Sequence, residues 1–278
     1  METPSPGFEV EDHPDRRRTY EDVMMPRVKV SRHLRRRRES AVWRGEIERI
    51  TKVGKSTLGG IQQKRIVYLS SPQGRRKKAM VKVTGSLTEA VADTIDELLG
   101  WDLVPPVSGR EMSPELQEEF GESEIVTVHE WMEGSGRVLW GTLERKPEEF
   151  VEKNDDRLLK MAALDFIIAN LDRHEGNMLV SRSGRVYAID HAFSFEYGAG
   201  EIFHPTWTTF NYAAGRPIPK NIMRDLRNLE EGDLRAAVSP LGEKAVEGTV
   251  FRWKVLLKKG RFPEKSANDW GSFFTETV

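Results

Sequence analysis

Residues 164–195, LDFIIANLDRHEGNMLVSRSGRVYAIDHAFSF, constrain this chain more than any other stretch. An apolar run ends in a polar loop of the form N-x-D-R-H-x-x-N, made of Asn170, Asp172, Arg173, His174 and Asn177. Two short strand-like runs follow, and the second ends in Ile189-Asp190-His191. Upstream, residues 156–170 are apolar on nearly every side (Leu158, Leu159, Met161, Leu164, Phe166, Ile167, Ile168), which predicts a buried helix fixing the loop after it. A buried helix on one side and a hairpin on the other hold two acids and an amide on firm supports.

That constellation suits phosphoryl transfer. Its loose transition state asks mainly for positioning and charge neutralisation, so one acid need only accept or align a hydroxyl proton. Asp172 has that place. Mg²⁺ takes hard oxygen ligands and keeps several waters, so an amide, a carboxylate and nucleotide phosphates are enough to hold it. Asn177 and Asp190 supply the first two. Asp, Asn and Gly are also ordinary turn residues; the flanking helix and hairpin separate this loop from a plain polar turn.

The residues before this segment extend the pattern. WRGEIERI and KRIVYLSS read as strands from about Trp43, and KVGKSTLGGIQQ lies between them. Gly54, Gly59 and Gly60, with Ser56 and Thr57, suit a hairpin whose backbone amides cover phosphates. The GKST string is not a Walker A loop, because Arg49 stands where its first Gly is required and a helix should follow. Next, Lys82 sits in the apolar strand around Ala79–Val83, which is costly unless its ammonium is paired. Leu87, Ala90, Val91, Ile95, Leu98 and Leu99 recur at helical spacing and predict an amphipathic helix over 87–99. Glu89 and Glu97 are both candidate partners for Lys82: a helical wheel puts Glu89 on the polar side and Glu97 beside the apolar face. Ser86-x-x-Glu89 is also a capping box. After a polar insertion at 113–123, EIVTVHEWMEG predicts a strand ending at Gly134.

These motifs resemble the atypical protein-kinase-like superfamily, and within it the phosphatidylinositol 3-/4-kinases, their bacterial relatives and HipA-like kinases. The resemblance runs from about residue 45 to 195 and is strongest in the loop and I-D motifs. It implies an α+β, bilobal protein-kinase-like fold, with a small β-rich N-lobe (41–133), a mainly helical C-lobe (134–278) and an N-terminal arm (1–40). It implies Asp172 as the catalytic acid, with Arg173 and His174 in the same catalytic group, and Asn177 and Asp190 as Mg²⁺ ligands. Lys82 and Glu89, rather than Glu97, form the phosphate-positioning pair, because EAVADTIDELLGWDLVPP is similar to the Glu-Ala-rich helix leading into L-G-x-x-x-V-P in type II phosphatidylinositol 4-kinases. ATP then lies between Gly54, Ser56 and Gly59 above and the Glu130–Met132 hinge behind. His191 and Ala192 depart from the D-F-G of ordinary protein kinases, so no activation-loop behaviour carries over. HipA-like kinases are regulated through a serine in the corresponding loop, and phosphate on Ser56 or Thr57 would repel ATP phosphates.

Composition narrows the alternatives. The formal net charge is −1 and there is no cysteine, which excludes a global polyanion-binding field, disulfides and thiolate catalysis. No apolar run approaches the roughly 18–20 residues that cross a bilayer, and the expectation is a soluble cytoplasmic protein. Residues 1–40 carry Arg16–Arg18 and Arg35–Arg38 with little apolar periodicity and read as an arm, either a solvated charged tail or a binding segment for an acidic or nucleic-acid partner. HPTWTTFNYAAGRPIP reads as loop, KNIMRDLRNLEEGDLR as charged solvated surface, and Trp253, Val255, Leu256 and Leu257 as core. The functional expectation is a Mg²⁺/ATP-dependent kinase acting on a protein Ser/Thr hydroxyl. A lipid kinase and a non-enzymatic scaffold with a partner-binding arm are the alternatives.

Overall fold

The computed structural model describes residues 46–51, 64–70, 76–83, 87–111, 117, 125–132, 136–137, 147–203, 208–264 and 274. The arm and Gly54, Ser56, Thr57 and Gly59 of the Gly-rich segment lie outside the described residues, as do Ser86 and Trp207.

Alternating residues build the first lobe. Strands β1 (Glu46–Thr51), β2 (Lys64–Ser70), β3 (Arg76–Val83), β4 (Val107–Glu111) and β5 (Ile125–Glu130) form one antiparallel sheet in the order β1-β2-β3-β5-β4. Directly paired residues share a face. One face therefore carries Val67, Ala79, Val81, Val126 and Val128, all buried. The other carries Lys64, Met80, Lys82, Thr127 and His129. Helix α1 (Thr88–Leu99) follows β3 and ends at Gly100, whose φ of 68° lets its N–H close onto the Asp96 and Glu97 carbonyls.

Helix α1 differs from the amphipathic reading: its polar side is buried as well as its apolar side. The reason is the chain that follows. Asp96 Oδ2 accepts from the Leu103 and Val104 amides at 2.8 and 3.0 Å, and Asp93 Oδ2 accepts from the Val107 amide at 2.9 Å. Acids on the side that a wheel assigns to solvent thus satisfy buried backbone donors.

The second lobe is mainly helical. Strand β6 (Gly136–Arg137) precedes α2 (Pro147–Ile167), which is followed by a 3₁₀ turn (Glu175–Asn177) and the hairpin β7 (Met178–Val180) and β8 (Val186–Ala188). Beyond them come α3 (Thr208–Ala213), α4 (Lys220–Asn228), α5 (Glu231–Val238) and α6 (Glu243–Lys259). Leu158, Leu159, Met161, Leu164, Phe166, Ile167 and Ile168 are buried, as their all-round apolarity demands. The region read as loop contains the one-and-a-half-turn α3, with Phe210 buried. The region read as solvated surface hides Ile222, Met223, Leu226 and Leu234 beneath its charges. Trp253, Val255 and Leu256 are core residues. Gly248 admits close approach to the loop after β8, because a Cβ there would overlap the Tyr197 carbonyl.

The result is a mixed α/β architecture in which a β-rich lobe is followed by a mainly helical one. No helix among the described residues is long and apolar enough to cross a membrane.

Asp96→Ala removes the acceptor for two buried amides. At about 1–3 kcal/mol for each unsatisfied group, it should lower the urea midpoint of unfolding strongly, with Asp93→Ala costing about half as much. An unchanged midpoint would show that water replaces the carboxylate.

Candidate active site

A cavity of about 240 Å³ opens between the lobes, lined by residues including Lys64, Met80, Lys82, Glu89, His129, Glu130, Met132 and Asp190. Lys82 of β3 places Nζ 2.6 Å from Glu89 Oε1 and 3.6 Å from Asp190 Oδ1. Glu89 is therefore the geometric partner of Lys82. Leu87 stands at the N-cap of α1 without a side-chain cap bond, and the capping box through Ser86 lies outside the described residues. Burial alone would lower the Lys82 pKa, but Glu89 and Asp190 outweigh it and hold the ammonium above its ordinary value. Burial likewise pushes Glu89 up, and Lys82 overrides it, leaving the carboxyl well below the usual range. The pair stays charged across the neutral range.

Glu89 also reaches the second lobe. Its Oε2 accepts from the His191 amide at 3.2 Å and lies 3.6 Å from His191 Nδ1. The His that replaces Phe in the D-F-G position is fully buried against this carboxylate.

Asp172 and Asn177 are not among the residues that line this cavity, and their loop is held by its own hydrogen bonds. Asp172 N–H donates to Asn170 Oδ1 at 2.9 Å, and Asn177 Nδ2 donates to the Asp172 carbonyl at 2.7 Å and to its Oδ2 at 3.1 Å. The Asp172 side chain is 43% exposed, beside the 54%-exposed His174, whose Nε2 is 3.8 Å away. His174 Nδ1 accepts from the Gly176 amide and shapes the turn.

Arg173, expected in the catalytic group, points the other way. It is fully buried: Nε and Nη2 bind Asp165, while Nη1 donates to the carbonyls of Asn177 at 2.5 Å and Ile189 at 2.6 Å. A guanidinium with all three nitrogens engaged inside the core braces the loop and does not face the cavity. Asp165 also accepts from Asn170 and Thr209. Asp165 escaped the sequence reading, although an acid inside an apolar helix requires buried partners. Asn154 and Arg157 of α2 tie to Val186 and Gly184 and so fix the hairpin carrying Asp190.

The donor set fits a divalent cation. With Asn177 Nδ2 spent on Asp172, the amide presents Oδ1 as an oxygen ligand, and Asp190 adds a carboxylate. Asp190 has φ of 60°, a left-handed backbone rare outside glycine and concentrated at functional sites. No group of three or more His, Cys, Asp or Glu among the described residues could hold a metal by itself. An Asn–Asp pair completed by waters and phosphate oxygens is what Mg²⁺ accepts.

The hinge departs from expectation in one respect. The Glu130 amide donates to Pro106 and the Trp131 amide to Lys78, while the Glu130 side chain pairs with Lys77. The Glu130 amide is therefore committed, while Glu130 and Met132 both line the cavity.

A β-rich lobe carrying a buried Lys–Glu pair, over a helical lobe carrying an acid–amide loop, defines a kinase-like phosphotransferase. Residues 66–228 match the family model described as phosphatidylinositol 3- and 4-kinase, and this is more than half of the chain. The chain belongs to that family. A search of curated proteins found no match.

Arg173→Met would strand Asp165 as a buried, uncompensated carboxylate, at a cost of about 3–5 kcal/mol. Chemical denaturation should show it, and a loss under 1 kcal/mol would mean that Asp165 finds another partner.

His129 gives a pH prediction. Burial, aided by Lys82, lowers its pKa to about 3 from 6.5. The unfolded chain binds this proton below pH 6.5 and the folded protein resists it, so the associated stability is complete above 6.5 and falls as pH drops toward 3. His129→Leu should flatten the melting temperature's decline across that window. An unaltered slope would assign the acid sensitivity to other groups.

Proposed function

We propose that the chain is a Mg²⁺/ATP-dependent kinase that phosphorylates a protein Ser/Thr hydroxyl. The observation that carries this reading is the Lys82 ammonium held between Glu89 and Asp190 at the cavity wall. A cation so placed can take nucleotide phosphates when they enter, while Glu89 keeps its direction. Asn177 and Asp190 would hold the Mg²⁺, which supplies neutralisation of phosphate charge. Asp172, on the exposed side of the loop, aligns the acceptor. The acceptor oxygen bonds to the γ-phosphorus as the bond from that phosphorus to the β-phosphate bridging oxygen breaks. The hydroxyl proton goes to Asp172, and ADP leaves. Arg173 acts by positioning alone. The Gly-rich segment at 54–59 would cover the phosphates, and the Arg-rich arm would bind an acidic or nucleic-acid partner. The lobes would divide at about 133/134.

A protein acceptor is supported by the C-lobe helices, whose apolar faces are spent on the core: Ile222, Met223, Leu226, Leu234 and Val238 are buried. A lipid acceptor is favoured by the family's name and by Phe193, which is 53% exposed and whose carbonyl accepts from the Leu171 amide beside the catalytic loop. Labelled ATP, offered with protein hydroxyl substrates or with phosphatidylinositol vesicles, separates the two.

Asp172→Asn should abolish transfer to either acceptor while leaving the fold intact, since the side chain is near-isosteric and exposed. Asp190→Ala and Asn177→Ala should raise the Mg²⁺ concentration needed for half-maximal activity. Near-normal turnover in Asp172→Asn, or unchanged Mg²⁺ dependence in both other variants, would remove these assignments.

A further inference from the structure

The cavity holds a side chain that the chemistry above does not use. His129 shares a sheet face with Lys82, because Met80 pairs with His129 as Lys82 pairs with Thr127. It lines the cavity immediately before the hinge. Its Nε2 lies 2.9 Å from Thr127 Oγ1. Thr127 is fully buried, and among the described residues its hydroxyl has this one hydrogen-bond partner. A buried O–H with nowhere to donate is unfavourable, so the hydroxyl donates to Nε2 and the ring proton sits on Nδ1. The ring stays neutral at working pH, since its pKa is about 3. The cavity wall therefore carries a fixed N–H donor. It stands beside a hinge whose Glu130 and Trp131 amides are already committed to backbone carbonyls.

We propose that His129 is a specificity-determining residue that reads the purine base by donating Nδ1–H to its N7. Adenine and guanine both present N7 as an acceptor; pyrimidines and 7-deazapurines lack it. The placement follows from the two ends of the cavity. Phosphates drawn to Lys82 and a six-membered ring directed at the hinge leave the five-membered ring's N7 edge against the wall between them, where His129 stands. The inference rests on the nucleotide reading of the cavity.

The test is calorimetric titration of the full chain with Mg²⁺ and ATP or 7-deaza-ATP. One neutral hydrogen bond corresponds to a ratio of about tenfold in favour of ATP. His129→Leu should bind the two nucleotides equally. Thr127→Val, which frees the tautomer without touching the ligand, should narrow the ratio. Lys82→Met should weaken both nucleotides in parallel and keep the ratio. Equal binding of the two nucleotides by the wild-type chain, or an undiminished ratio in His129→Leu, overturns the proposal and leaves the kinase reading intact. Failure of the wild-type chain to bind ATP overturns both. Should His129→Leu not fold, the wild-type ratio decides.

Discussion

The site depends first on the buried pair of Arg173 and Asp165. Removing two charges from water is expensive, and in the interior such a pair is tolerated when further hydrogen bonds serve the remaining donors and lone pairs. Here the carboxylate also serves Asn170 and Thr209, and the guanidinium spends Nη1 on the carbonyls of Asn177 and Ile189. Those carbonyls belong to one candidate metal ligand and to the residue before the other. A planar, rigid fork sets their spacing in a way that a lysine could not. The Ile189 amide closes the same ring by donating to the Asn177 carbonyl at 3.0 Å. The loop and the strand end thus move as one body.

That body contains backbone strain. Ala169, Asp190 and Phe195 all have positive φ, at 49°, 60° and 70°, and residues in sparsely populated regions cost about 1–3 kcal/mol each. Local hydrogen bonds hold them there: Asn170 to Asp165, Phe195 to Ile168 and Leu171 to Phe193 through the backbone. The strained turn at Asp190 is also tied across the lobes, because the next amide donates to Glu89. Glu89 therefore links β3, α1 and the Asp190 turn through one carboxylate. The departure from D-F-G has a physical consequence: His191 is packed against Glu89, and its amide donates to the carboxylate that pairs with Lys82.

How much of this was legible in the sequence follows from distance along the chain. Asp172, Asn177 and Asp190 lie within one short stretch, and the apolar helix before them and the hairpin among them marked it as more than a polar turn. Lys82 was legible because a lysine in an apolar strand must be paired. Its partner was not: the wheel left Glu89 and Glu97 open, and resemblance favoured Glu89, which the geometry pairs with Lys82 at 2.6 Å. Arg173 was misread because a charged residue beside a catalytic acid looks functional, and its inward direction depends on Asp165, itself hidden in an apolar run. The polar side of α1 was misread as solvent-facing because its acids serve amides of the segment after it, which helical periodicity does not report. Helix α3 is six residues long, too short to leave a periodic signature. The charged run over α4 and α5 masked the apolar residues placed between its charges.

Charge balance then joins the lysines to the metal reading proposed above. Asp190 Oδ1 lies 3.6 Å from Lys82, and its Oδ2 lies 4.0 Å from Lys64, the two lysines being directly paired across β2 and β3. Two ammonium groups thus face Glu89 and Asp190, and the cavity wall is close to neutral as it stands. A triphosphate brings several negative charges into a space where Asp190 already contributes one. The lysines cannot serve the phosphates fully and still compensate Asp190, and like charges at such distances disfavour one another by several kcal/mol in a partly buried site. Asp190 would then need a further cation beside it. Under the proposed reading, a divalent cation held by Asp190 and Asn177 would resolve the imbalance without moving the backbone. Nucleotide and cation would then be taken up together, because neither alone would leave the wall balanced.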